Sequence, residues 1–192
     1  MNPFAQHPVI EDYNLIKRYF REYETSHSKN RMRDFRKFAR MIQEAGYQVA
    51  FDFVGSVNFG QADTNSDVDF VLYLACEKNY AGECDDVHCR TRHQIENLLI
   101  RTLIREYVVR PYEIQVVDCM NLNLLHAELE RGDPMSPALF RFAFYRSICR
   151  AVNARVLKPY QNRLMSNPAL VNGLRSELGA VFDGLNRWSP HS

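Results

Sequence analysis

Two rhythms of apolar residues alternate along the chain. Between residues 10 and 24, Tyr13, Ile16, Phe20 and Tyr23 recur three or four apart, which predicts an amphipathic helix. A second helix is expected from Ser28 to about Glu44, with Phe35, Phe38, Met41 and Ile42 turned inward. Ser28 is its expected cap and Gly46 its expected stop. The rhythm then changes. Gln48–Val54 and Val68–Leu74 are short, dense apolar runs bounded by turn formers, and both read as strands. Helical spacing returns over 90–107 with Ile95, Leu98, Leu99, Thr102 and Leu103. Tyr112 to Val117 reads as the core of a third strand, and a helix follows around 122–131. Gly132-Asp133-Pro134 breaks the chain. From Ala138 to about Asn186 the pattern is mostly helical, interrupted near Pro159 and Pro168. The expected class is α/β (α+β), with helices before and after a small sheet.

The segment joining the first two strands carries the most chemistry. Phe53-Val54 runs into Gly55-Ser56, and the next strand begins around Asp67-Val68-Asp69. Side chains alternate along a strand, so Asp67 and Asp69 point to the same side. Two neighbouring carboxylates entering a buried strand repel each other and lose hydration. A divalent cation between them relieves both problems. A Gly-Ser turn that presents backbone N–H groups beside such a cation suits a polyphosphate.

Three other motifs overlap here and fail on spacing. Gly55 to Gly60 opens like a Walker A loop, but Gln61-Ala62 stand where Lys and Ser or Thr are required. Asp63, Asn65 and Asp67 begin like an EF-hand, but Val68 replaces its glycine and Leu74 its closing glutamate. A plain Asp/Asn-rich hairpin turn accounts for Asp63-Thr64-Asn65-Ser66, but not for Asp69 inside a strand.

Gly55-Ser56, Gly60, Ser66-Asp67 and Asp69, followed by an apolar strand, resemble the signature of the DNA polymerase beta-type nucleotidyltransferase superfamily. Within it the chain most resembles the small stand-alone minimal nucleotidyltransferases. The direct resemblance covers residues 53–74. One departure is Asp63, where minimal members often carry a basic residue. The resemblance implies a small mixed sheet flanked by helices. Residues 1–133 would form the nucleotidyltransferase core with its N-terminal helices, and residues 134–192 a helical region packed on it.

The resemblance also implies a third carboxylate on a neighbouring strand. Glu113 and Asp118 are the acids of the third strand, and their odd spacing predicts opposite faces. Glu113 is preferred, because it stands near the strand's start and because LNLLHAELERGDPM resembles the helix and turn that follow the third acid in minimal nucleotidyltransferases, where the count back from Gly132 lands on Glu113. Asp118 is the second choice, with a helix cap near Leu122 as its other reading. By resemblance, Asp67, Asp69 and Glu113 hold two Mg²⁺ ions, with Mn²⁺ as a substitute. Gly55, Ser56, Gly60 and Ser66 bind the nucleotide, with Asn58 and Asn65 as further contacts. The reaction moves an NMP from an NTP to a hydroxyl and releases pyrophosphate. The acceptor is open: a protein side chain, an RNA end or a small molecule. An alternative is a regulatory or antitoxin-type nucleotide-binding protein with a cognate protein partner and little turnover.

Composition narrows the setting. At 192 residues and net charge +1, the chain can bury a core and is not a globally basic nucleic-acid binder. No apolar run reaches the roughly 18 residues of a membrane span. The first residues lack a basic-then-apolar leader, so the cytoplasm is expected. The 5 cysteines are scattered, as in a reducing compartment. Cys84, His88, Cys89 and His93 are too crowded for finger spacing and are read as a loop entering the next helix, with Asp85 and Asp86 near its positive end. Two basic stripes stand out. Lys29, Arg31, Arg33, Arg36, Lys37 and Arg40 are read as a solvated helix face, and so are Arg141, Arg146, Arg150, Arg155 and Lys158. The alternative is that one stripe lines the cleft opposite the acids and grips phosphate or RNA. The aromatics Phe140, Phe142, Phe144 and Tyr145 in the second stripe are expected in the core. In the resembled family a helical C-terminal region often closes over the nucleotide, which would give Arg150, Arg155 and Lys158 a phosphate role.

Overall fold

The fold is that of a computed structural model, which describes residue 4 and residues 6–76, 89–107 and 111–186. Cys84, Asp85, Asp86 and His88 lie outside those residues. Two helices open the chain, α1 (Pro8–Glu22) and α2 (Ser26–Glu44). Strand β1 (Val49–Phe53), the short helix α3 (Gly55–Phe59) and strand β2 (Val68–Leu74) follow. Next come α4 (Arg90–Tyr107), β3 (Ile114–Asn121) and α5 (Leu122–Arg131). The chain closes with α6 (Pro137–Ile148), β4 (Arg150–Val152), a 3-10 turn (Ala154–Val156), α7 (Lys158–Met165) and α8 (Pro168–Asn186).

The strands form one mixed sheet in the order β3-β2-β1-β4. Strand β1 is antiparallel to both neighbours, and β2 is parallel to β3. This is an α+β fold, with helices before the sheet and a helical region after it. Both faces of the sheet are covered. One face presents Phe51, Phe53, Phe70 and Leu72 to α2 and α4. There Phe35 meets the rings of Phe51, Phe53 and Phe70 edge-on, with centroids 4.9 to 5.3 Å apart. The other face presents Ala50, Val71, Tyr73 and Met120 to α5–α8 and the start of α1.

Several sequence expectations are corrected. Thr25, not Ser28, caps α2, its hydroxyl accepting from the Ser28 N–H at 3.1 Å. Ser28 is buried and accepts from the Ala62 N–H at 2.8 Å, tying α2 to the loop before β2. Ile16, Phe20 and Tyr23 are exposed on α1, while Ile10 and Lys17 face inward. Asn121, not Asp118, caps α5. Strand β3 reaches Asn121, four residues beyond the expected end of its core at Val117. Strand β4 interrupts a region expected to be helical, because its three residues add an edge to β1. Among the described residues no helix is long and apolar enough to cross a membrane.

Candidate active site

Strand β1 delivers the chain to Gly55, and β2 brings Asp69 beside it. The Val54 N–H donates to the Asp69 carbonyl at 3.0 Å, which continues the β1–β2 ladder to the edge of the turn. Gly55 has φ +57, and a Cβ there would lie 2.9 Å from Asp69 Oδ2. Only glycine combines that left-handed conformation with so close a carboxylate. No side chain caps the N-terminus of α3 at Val54, so the first-turn N–H groups stand open to a ligand or solvent.

Asp67 is exposed, whereas Asp69 is partly buried. Burial, and then the nearby charge of Asp67, raise the Asp69 carboxyl above the usual carboxylate value. The turn feeding them is held by Asp63. Its Oδ1 accepts from the Asn65 N–H, the Ser66 N–H and the Ser66 hydroxyl at 2.8 to 2.9 Å. Ser66 and Asn65 are thus engaged in shaping the loop. Asn58 is buried and donates to the Tyr13 hydroxyl and the Ile148 carbonyl, both at 3.0 Å. Gly60 ends α3 with φ +78, packed against Glu24 and Arg21 near the end of α1.

A residue read as part of a solvated stripe belongs to this site. Arg31 is only 2% exposed and donates to the Ser66 carbonyl at 2.7 Å. Its guanidinium lies over the Tyr112 ring, 4.9 Å from the centroid. Asp63 and Asp67 both contribute to its electrostatic environment. It therefore holds the loop by its carbonyl and places a positive charge behind the carboxylates. The neighbouring Lys29, Arg33, Arg36, Lys37 and Arg40 are exposed as expected. Sequence spacing could not single out Arg31, since its partner lies on another element.

The third strand corrects another expectation. Glu113 and Asp118 were expected on opposite faces, but β3 bulges between Val116 and Asp118. Gln115 pairs with Asp69 and Asp118 with Val71, so the register shift puts Glu113, Gln115 and Asp118 on the face of Asp69. Gln115, an amide, is the residue directly across from Asp69. Glu113 is exposed, and its carbonyl accepts from the Val68 N–H at 2.9 Å. Asp118 is buried, 3.5 Å from Arg141 Nη1, and accepts from Tyr145. Among the described residues no three His, Cys, Asp or Glu side chains gather closely enough to hold one metal ion. Asp67 and Asp69 stand as a pair.

The second basic stripe is more engaged than a solvated face. Arg146 pairs with the fully buried Asp52, and Arg150 with Glu24. Phe142 is buried among α5–α8, with Phe140, Phe144 and Tyr145 packed against that core, as expected of core aromatics. No protein-family model matches the chain, and no curated protein and no solved structure matches it.

Proposed function

We propose that the chain is a nucleotidyltransferase of the DNA polymerase beta type, transferring an NMP from an NTP to a hydroxyl. The observation that carries this reading is the contact of the Asp69 carboxylate with a left-handed Gly55 at the start of α3, with Asp67 beside it. The donor set suits Mg²⁺, which usually takes one or two carboxylates from a protein and its remaining oxygens from phosphate and water. Asp67 and Asp69 would hold such an ion as it arrives with the nucleotide, with Mn²⁺ as a substitute. The bound ion would neutralise phosphate charge and lower the pKa of an attacking hydroxyl.

The chain's own groups do the rest. The open N–H groups at Gly55 and Ser56 bind phosphate oxygens. Gly55 keeps the space beside Asp69 free of a side chain. Arg31 fixes the loop that aims Asp67. Glu113, exposed on the Asp69 face, would accept the proton of the acceptor hydroxyl. Asp118 is instead buried against Arg141 and Tyr145. The acceptor is a protein side chain, an RNA end or a small molecule, and the cytoplasm is the compartment this reading implies.

The test is transfer of label. The protein is incubated with each α-labelled NTP, Mg²⁺ and a cell lysate, and the protein, RNA and small-molecule fractions are counted. Label in one fraction, absent with γ-labelled NTP and with Asp69→Asn, is expected. A lack of transfer with any NTP would overturn the reading. Mg-NTP binding without transfer would favour the regulatory alternative.

A further inference from the structure

A cavity of about 540 Å³ lies between α6, the 3-10 turn and α7. Its floor is apolar, with Phe142, Ala143 and Leu164 all buried. Three cations face it: Arg146 at the base, and the exposed Arg155 and Lys158 at the rim. Among the described residues no acidic one lines it. Asp52 compensates the Arg146 charge, which leaves Arg155 and Lys158 at the rim as the cavity's cations for an anion. Arg155 donates to the side-chain oxygens of Asn153 and Gln43, at 3.1 and 3.0 Å. Those oxygens are neutral, so the Arg155 charge is uncompensated by them. The amides of Gln161 and Asn162 add paired donors and acceptors on the same wall.

Neither Asp67 nor Asp69 lines this cavity. Asn153, next to its wall, bonds the Val49 carbonyl at the start of β1, whereas Asp69 bonds Val54 just past the other end. Those points lie roughly 16 Å apart at strand rise, although the cavity comes nearer through Arg146, whose partner Asp52 stands across from Val71, two residues from Asp69. The volume falls in the range of small-ligand sites. The chemistry is an apolar floor for a flat ring, amides for its edge, and cations for an anion at the rim.

We infer that this cavity is a second, metal-independent site for a nucleoside monophosphate. It stands whether or not the carboxylate pair transfers nucleotides. The test is calorimetry with adenosine 5′-monophosphate in EDTA, on the parent, Asp69→Asn, and the double variant Arg155→Glu/Lys158→Glu. Both reversed positions are exposed, so circular dichroism of the double variant should match the parent. The expected result is binding by the parent and by Asp69→Asn, weakened at least about tenfold by the double reversal. Adenosine and inorganic phosphate should each bind at least about tenfold more weakly than the monophosphate. No binding by the parent, or binding untouched by the double reversal, would overturn the site. Loss of binding in Asp69→Asn would assign the ligand to the carboxylates instead. Phosphate binding as tightly as the monophosphate would remove the ring from the inference.

Discussion

Gly55 and Asp69 are fitted to each other. A methyl group at position 55 would meet Asp69 Oδ2 at 2.9 Å, and φ there is +57. Gly55→Ala should therefore destabilise the fold by about 1–2 kcal/mol, the cost of a left-handed non-glycine residue. Denaturant unfolding would show it, and transfer activity should fall far more than stability. Asp69 makes an opposite prediction. Its carboxyl is raised by burial and then by Asp67, so the native state holds this proton to higher pH than the unfolded chain does. That proton's contribution to stability is lost as pH rises from the ordinary carboxylate value through the raised one. Asp69→Asn should remove this slope and leave stability at neutral pH unchanged, or up to about 1 kcal/mol higher. Comparing the pH dependence of unfolding for the parent and Asp69→Asn checks it. If Asp69→Asn unfolds the protein, Asp69 is structural.

At the scale of elements, dense apolar runs such as Phe70-Val71-Leu72-Tyr73-Leu74 made β1 and β2 legible, since no solvated helix carries such a run. Strand β4 was not legible. Its three residues show no period and become a strand only because β1 has a free edge. The bulge at Val117 was equally hidden, because register is a property of two strands. The carboxylate pair could be read from alternation within one strand. The face of the third acid could not, nor could Arg31, whose burial depends on Tyr112 and Ser66. The register yields its own prediction. Gln115 stands across from Asp69, about 4.8 Å away at the usual strand spacing. Gln115→Asp should complete a trio of carboxylates and bind Mn²⁺ without nucleotide at least about tenfold more tightly than the parent. Calorimetry measures it, and unchanged affinity would contradict the pairing.

Across the whole molecule, the sheet belongs to two cores, one against α2 and α4, the other against the C-terminal helices. Asp52 joins the sheet to α6. It is fully buried, receives the Tyr73 hydroxyl at 2.8 Å and pairs with Arg146. Removing one partner strands a buried charge, so Arg146→Met should cost about 3–5 kcal/mol. Asp52→Asn/Arg146→Met together should cost much less, because neither charge remains. Unfolding curves for the parent, the single variant and the double variant decide it. Equal losses in both variants would show that packing, not charge, holds the joint.

Paramagnetic broadening by Mn²⁺ tests the carboxylate pair most directly. With NTP present, the amide signals of Gly55, Ser56, Val68 and Asp69 should broaden first, and Asp69→Asn should abolish the effect. Broadening centred elsewhere, or undiminished in Asp69→Asn, would contradict a metal-bound nucleotide at this turn.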